Sequence, residues 1–207
     1  METIIDYKVK DFFQLTDYRL IAEYEVILHL LKPLKVIDNP NYNKYKFWDK
    51  NTSKTIQITD RNSFTFGERN ELADYFNEGN FESVIEGMKL VTGLSEKQIF
   101  DFTITKFYGI INHIQKELID ISNMEIDALS DDSFDINLES VNAKGRMAKF
   151  GVLNIIDSLA KEDVTKWIEI EKLPYMTVFS KLLMDKEKAN IQKELDEIQK
   201  RKNKQKQ

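Results

Sequence analysis

Histidine and cysteine, which often perform acid–base, nucleophilic or metal chemistry, are scarce in this sequence. It contains no cysteine, and His29 and His113 are its only histidines. Neither histidine has the Glu-x-x-His spacing that could contribute to a metal site. The seven glycines are scattered, so they form no phosphate-binding loop, and no Gly-x-Ser-x-Gly nucleophile motif occurs. No spacing selects a pair among the many carboxylates. We therefore predict no catalytic, metal-binding or cofactor-binding residues.

One acidic stretch, residues 123–144, has some of the spacing of a calcium-binding loop. Oxygen-bearing side chains stand there at alternate positions: Asp131, Ser133, Asp135 and Asn137. Such a loop needs glycine at its sixth position and a bidentate glutamate at its twelfth, where this chain has Ile136 and Asn142. We therefore predict a solvated acidic linker over residues 123–144 instead of a cation site.

Apolar and aromatic residues in the last third of the chain are better candidates for a functional surface. Beyond Asp185 a long charged segment keeps only a thin apolar seam. Three seam residues are too few for a stable coiled coil by themselves. The sequence thus predicts a helix that projects into solvent unless a partner covers it. The candidate partner-binding residues are Trp167, Tyr175, Phe179, Ile191, Leu195 and Ile198.

The elements that must position these residues are mostly helical. Only 7 glycines and 3 prolines are present, which means few tight turns. Short alternating stretches at residues 45–49, 55–59 and 64–66 predict strands. The predicted fold is mainly α (α+β). It is a helical bundle of about seven helices with a small two- or three-stranded β-hairpin or meander near residues 45–66 and a long protruding C-terminal helix.

Helix boundaries are indicated by capping residues. Thr16 is the predicted N-cap of the first helix, Asn80 caps a later one that ends at Gly93, and Ser95 with Gln98 forms a capping box. Residues 1–14 are predicted to be a short lead-in, for which a strand is one of the conformations considered. The first helix carries an apolar stripe that is predicted to face the core: Leu20, Ile21, Tyr24, Ile27, Leu28 and Leu31.

A longer helix is predicted over residues 103–122, with Gly109 inside it. His113 falls off the main apolar stripe of this helix, so we predict that it lies at the surface. His29 is predicted to be partly buried beside the stripe of the first helix. The resulting domain prediction is an N-terminal helical domain with the small meander over 1–122, the acidic linker over 123–144, and a C-terminal helical unit with an exposed tail helix over 145–207.

Charge and hydropathy exclude some classes of partner. The net charge of -5 gives no general attraction to nucleic acid, although the chain ends in a basic cluster. No run approaches the roughly 20 apolar residues that a membrane-spanning helix needs. We therefore expect neither a membrane nor a nucleic acid as partner.

The pattern Trp167-x5-Leu173-Pro174-Tyr175-x6-Leu182-Leu183, followed by a Lys/Glu-rich helix, resembles small proteins of tailed-phage morphogenesis, in particular tail assembly chaperones. The segment Phe64–Glu68, then a helix, Ser95-Glu96 and a long helix, is similar to the leading part of such proteins. The resemblance implies a mainly helical, non-catalytic assembly factor in the host cytoplasm that binds another tail protein. An apolar groove is then expected near Trp167 and Tyr175.

Three alternatives remain open at this point. A structural virion subunit, such as a connector, ring or tail component, would self-associate and stay in the virion. A small nucleic-acid-associated regulator would bind through the terminal lysines with a salt-dependent affinity. An enzyme with a dispersed site would have a deep pocket with perturbed carboxylates. The predicted partner is therefore another structural or tail protein of the phage, or a second copy of this chain.

Overall fold

The structure is a computed structural model that describes residue 4 and residues 7–42, 53–130 and 140–204. These residues form ten α-helices and a two-stranded antiparallel sheet, which confirms the mainly helical fold with a small hairpin and a long C-terminal helix. The first half contains α1 (Val9–Phe12), α2 (Tyr18–Leu28), β1 (Val36–Asp38), β2 (Thr55–Gln57), α3 (Phe66–Glu78), α4 (Phe81–Thr92), α5 (Glu96–Phe100) and α6 (Ile104–Leu129). The second half contains α7 (Ala143–Ala148), α8 (Leu153–Leu159), a 3-10 helix (Val164–Lys166), α9 (Trp167–Glu171) and α10 (Tyr175–Lys204).

The described residues divide into two compact units. Unit 1 comprises those up to Phe64 together with Glu68–Asp120, and unit 2 comprises Thr65–Gly67 and those from Ile121 onwards. Helix α6 therefore contributes residues 104–120 to unit 1 and residues 121–129 to unit 2. The predicted domain boundary near residue 122 lies close to this division, but the return of Thr65–Gly67 to unit 2 is not visible in the sequence.

The sheet pairs β1 with β2 antiparallel, with Ile37 opposite Ile56. The alternation over residues 55–59 thus marks a strand, although its partner β1 was not predicted. The prediction of a strand over residues 64–66 is wrong. Thr65 forms an isolated bridge with Pro174 and belongs to no strand, and Phe66 already begins α3. A three-residue alternation is too short to outweigh the helical period that follows it. The strand predicted over residues 45–49 lies outside the described residues.

Local capping signals identify several helix ends correctly. Asn80 accepts a hydrogen bond from the Ser83 amide at 2.8 Å, and Gly93 closes α4 with a left-handed φ of 65°. Ser95 and Gln98 form the predicted capping box. The cap of α2 is Asp17 instead of Thr16. Its carboxylate accepts from two backbone amides of the first turn, those of Arg19 (3.1 Å) and Leu20 (3.3 Å).

The N-terminal lead-in and the acidic stretch are more helical than predicted. Val9–Phe12 forms α1, and Lys8 forms an isolated bridge with Thr103 and belongs to no strand. Helix α6 continues to Leu129, so residues 123–129 are not linker. Ile121 is fully buried and extends the apolar stripe of α6 into unit 2, which explains the continuation. Residues 131–139 of the predicted linker, with most of the positions considered for calcium, lie outside the described residues.

Gly109 has a packing role inside α6. A Cβ at this position would lie 2.7 Å from Cδ1 of Leu34, and the Gly109 carbonyl accepts the Leu34 amide at 2.8 Å. The glycine therefore allows the segment before β1 to approach the helix closely. Asn112, one turn further along, donates from Nδ2 to the carbonyls of Leu28 (3.1 Å) and Leu31 (2.9 Å), which satisfies the end of α2.

Candidate functional site

Helix α10 is rooted in unit 2 by aromatic packing. Tyr175 is 1% exposed, its ring stacks on Phe179 with centroids 6.2 Å apart, and its hydroxyl donates to Glu125 Oε1 at 3.1 Å. Val178, on the same side of the helix, is also buried. These contacts fix the direction in which α10 leaves the core of unit 2.

A lysine holds the next turns of α10. The Lys186 ammonium donates to the carbonyl of Ala128 at 2.9 Å and to that of Ser130 at 2.8 Å. Both carbonyls lie at the C-terminal end of α6, where backbone acceptors lack partners within the helix and where a positive charge is favoured. These two contacts hold α10 against the end of α6 as far as Lys186.

The apolar stripe of α10 then changes to the opposite side of the helix. An α-helix turns by about 100° per residue. Tyr175, Leu182 and Lys186 therefore share the side that faces unit 2. A second set of apolar residues lies roughly opposite them, and we call it the outer stripe: Met184, Ile191, Leu195 and Ile198. Their side chains remain 55%, 49%, 53% and 47% exposed.

The outer stripe has the spacing of a short coiled-coil seam. Met184, Ile191 and Ile198 are seven residues apart, and Leu195 lies between the last two. Lys188 occupies the remaining seam position. Side chains on the two flanks are acidic or amide over most of the length, namely Asp185, Glu187, Gln192, Glu194 and Gln199, and become basic at Arg201. Such a surface suits contact with another helix.

The six predicted partner-binding residues do not form one surface. Ile191, Leu195 and Ile198 lie together on the outer stripe. Tyr175 and Phe179 lie together in the core of unit 2, at 1% and 6% exposure, so the expected apolar groove cannot include the Tyr175 side chain in this conformation. Trp167 is half-buried, and its indole Nε1 donates to Asp157 Oδ1 at 3.2 Å. Its surroundings are thus separate from the outer stripe.

Met184 was not identified from the sequence, nor was a group of exposed apolar residues near the end of α2. Met184 completes the outer stripe, and its seven-residue spacing from Ile191 could have identified it. Val26, Ile27 and Leu30 near the end of α2 are 66%, 56% and 80% exposed. Ile27 was predicted to face the core, but the core side of α2 is narrower than its apolar stripe and fully buries Leu28. No feature of the sequence distinguishes the exposed Ile27 from the buried Leu28.

Buried polar residues of α6 serve the structure of unit 1. Glu117 is 5% exposed and accepts from Arg61 Nε at 3.1 Å, while Arg61 Nη2 also donates to Asp120 at 2.8 Å. His113 is 1% exposed, which contradicts its predicted surface position. It lies between Ile110 and Ile114 on a helix that is buried around much of its circumference. His29, predicted to be partly buried, is instead exposed, with its ring edge-on to Tyr108 at 5.2 Å.

Neither ring nitrogen of His113 has a hydrogen-bond partner among the described residues. Burial lowers the pKa of His113 below 6.5, an effect opposed mainly by the negative charge of Glu117. Asp60 also raises this pKa, while Lys35 and Lys116 lower it further. An imidazole in these surroundings favours its neutral form. Among the described residues its one donor and one acceptor then have no partner, and leaving them unpaired in the core disfavours folding.

His113→Leu should remove a loss of stability that the wild-type chain shows in acid. Because the folded pKa of His113 is lowered, the unfolded chain binds a proton more readily just below its own value of 6.5. This contribution to stability is therefore complete above about pH 6.5 and falls as the pH drops below it. Urea unfolding at pH 7.5, 6.5 and 5.5 measures the difference between the two chains.

His29→Leu is the matched control for this measurement, since His29 is exposed. His113→Leu should flatten the pH dependence of stability more than His29→Leu does. Equal slopes for wild type and His113→Leu would show that His113 does not titrate differently in the folded chain.

The described residues contain no group of three or more His, Asp or Glu side chains placed to hold a metal ion. Within the same residues, none of the helices combines the length and apolar character that crossing a bilayer requires. No family model, no curated protein and no solved structure matches this chain.

Proposed function

We propose that this chain is a non-catalytic protein-binding assembly protein that contacts its partner through the outer stripe of α10. The observation that carries the proposal is the position of this stripe. It lies opposite the side of α10 that carries Tyr175 and Lys186, so folding of the described residues leaves it exposed. Repeated apolar residues on an exposed helix are disfavoured in water, and binding another protein would bury them.

The resemblance to tail assembly chaperones supplies a narrower form of the same proposal. In that form the partner is another tail protein of a tailed phage, bound during assembly in the host cytoplasm. Its support is the pattern over Trp167–Leu183, which leads directly into α10. The broader proposal depends only on the outer stripe and holds for any assembly partner.

A structural subunit is the second candidate function. A subunit of a ring or tube needs two different surfaces, because head-to-tail contacts join unlike patches. The exposed group Val26, Ile27 and Leu30 at the end of α2 and just after it offers a second apolar surface in addition to the outer stripe. This candidate predicts large closed or open assemblies, whereas a chaperone-like adaptor forms small complexes.

The double variant Ile191→Gln, Leu195→Gln tests the proposal by co-purification. Tagged full-length chain is recovered from its native source, and the bound proteins are quantified by mass spectrometry. We expect a defined partner in near-equimolar amount with the wild type and at least about a tenfold loss with the variant, since two central apolar contacts are removed. Ala189→Gln, on the opposite side of the same helix, is the matched control and should retain the partner.

Circular dichroism of both variants verifies that the helix content is unchanged, because both sites are exposed. Retention of the same partner in equal amount by the outer-stripe variant would refute this role of α10.

A further inference from the structure

We infer that the outer stripe of α10 binds the outer stripe of a second copy of this chain, with the two helices antiparallel. This inference rests on the proposed function, because it uses the same outer stripe, and it takes a second copy of this chain instead of a different protein as the molecule that covers the stripe. Its first support is the side of the helix on which the stripe lies. Tyr175 and Lys186 pack on the opposite side of the helix, so among the described residues the face from Met184 to Ile198 is left exposed for a second helix.

Charge along the stripe supplies the second support. Asp185 and Glu187 flank its beginning, and Arg201 and Lys202 lie at its end. Asp185 already pairs with Lys181 on its own helix, so Glu187 is the acidic flank that an antiparallel copy places beside the basic end of the other helix. Charged residues on the flanks of a helix pair determine its orientation and choice of partner.

One antiparallel register also matches the apolar residues. It sets Leu195 against Ile191 of the second copy and Ile191 against Leu195, which forms two central layers. Ile198 then meets the long aliphatic stem of Lys188, whose ammonium can reach solvent. In the same register Arg201 of each copy lies beside Glu187 of the other, so the symmetric dimer contains two such pairs. The single unfavourable pair is Glu194 with its own equivalent at the centre.

A parallel pair is less favourable for the same residues. It would place Lys188 against Lys188 and bring both basic ends together. Glu187 and Arg201 would then be separated by fourteen residues, about 21 Å along the helix axis. The contact that Arg201 makes now, 3.4 Å from Glu197 on its own helix, is an exposed pair that can be exchanged at little cost.

The small area of the stripe determines the expected strength. Four half-exposed side chains per copy bury less than the total of about 1,200–2,000 Å² found in stable specific interfaces. We therefore expect a monomer–dimer equilibrium with a dissociation constant in the micromolar range. Sedimentation equilibrium of the full chain from about 1 to 500 μM covers the range in which such an equilibrium is visible.

The first experiment compares the wild type with the outer-stripe variant Ile191→Gln, Leu195→Gln and the control Ala189→Gln. The expected result is at least about a thirtyfold weaker dimer for the outer-stripe variant and less than a twofold change for the control. A wild-type chain that stays monomeric to about 500 μM overturns the inference. A dimer whose dissociation constant is the same for the wild type and the outer-stripe variant also overturns the inference.

The second experiment determines the orientation. Because the chain has no cysteine, single introduced cysteines report unambiguously. Chains with Glu187→Cys and chains with Arg201→Cys are mixed and oxidised. The antiparallel register predicts rapid disulfide formation between the two kinds of chain and slow formation within either kind alone. Preferential cross-linking of Glu187→Cys chains with one another indicates a parallel pair and overturns the inference.

Failure of this inference is distinguishable from failure of the proposed function. A monomeric wild type whose co-purified partner is lost with the outer-stripe variant contradicts self-pairing only. A chain whose outer-stripe variant changes neither self-association nor partner binding contradicts both.

Discussion

Tyr175→Ala is expected to lower the free energy of unfolding by about 3–5 kcal/mol, the range for removing a fully buried aromatic ring. The ring is 1% exposed and stacks on Phe179, so alanine would leave a cavity at the root of α10. The Glu125 carboxylate would also lose the phenolic donor at 3.1 Å. Urea unfolding followed by circular dichroism measures the change.

Tyr18→Ala is the matched control for this prediction. Tyr18 is 83% exposed at the start of α2, and the same substitution there should change stability by no more than about 0.5 kcal/mol. Tyr175→Phe removes the hydroxyl and keeps the ring, so it should lower the free energy of unfolding by about 1–2 kcal/mol. A loss below about 1 kcal/mol for Tyr175→Ala would mean that α10 is not rooted in unit 2 through this residue.

Arg61→Ala is expected to destabilise the chain by about 3 kcal/mol because it leaves the Glu117 carboxylate in the core without its cation. Glu117 is 5% exposed and accepts from Arg61 at 3.1 Å. Removing one partner of a buried pair is destabilising because the remaining charge has lost its hydration and has no opposite charge to replace it. The midpoint of urea unfolding at neutral pH measures this loss.

Arg201→Ala is the matched control, since Arg201 pairs with Glu197 while both side chains are largely exposed, at 78% and 66%. Exposed pairs contribute about 0–1 kcal/mol, so this variant should be close to wild type. The double variant Arg61→Met, Glu117→Leu should recover most of the lost stability because no charge is then buried alone. If Arg61→Ala proved as mild as Arg201→Ala, Glu117 would have to be satisfied by other means.

Local signals explain which parts of the fold were predictable. The caps at Asn80, Gly93 and Ser95 were identified because each depends on residues only two to four positions away. The long C-terminal helix was predictable for the same reason, since its residues are good helix formers and no glycine or proline interrupts it after Pro174. Strand β1 was missed because a three-residue strand is defined by its partner.

Burial explains which residues were assigned wrongly. His113 and Ile27 have ordinary helical neighbours, and only packing decides that the histidine is 1% exposed while the isoleucine is 56% exposed. The extension of α6 beyond residue 122 was likewise missed, because its acidic composition favours a solvated linker when it is considered alone. The burial of Ile121 in unit 2 overrides that preference.

The sequence by itself therefore determined the helical class, the helix ends that carry caps, the lack of any recognisable catalytic motif, and the spacing of Ile191, Leu195 and Ile198. These are properties of neighbouring residues along the chain. Only the tertiary structure decided which side of α10 packs against unit 2. Tyr175 and Lys186 are fixed by distant groups, Glu125 and the end of α6, and that orientation turns the outer stripe away from unit 2. Contacts between residues far apart in sequence decide which side of a helix is buried and which is exposed. Periodicity along the sequence alone cannot decide this.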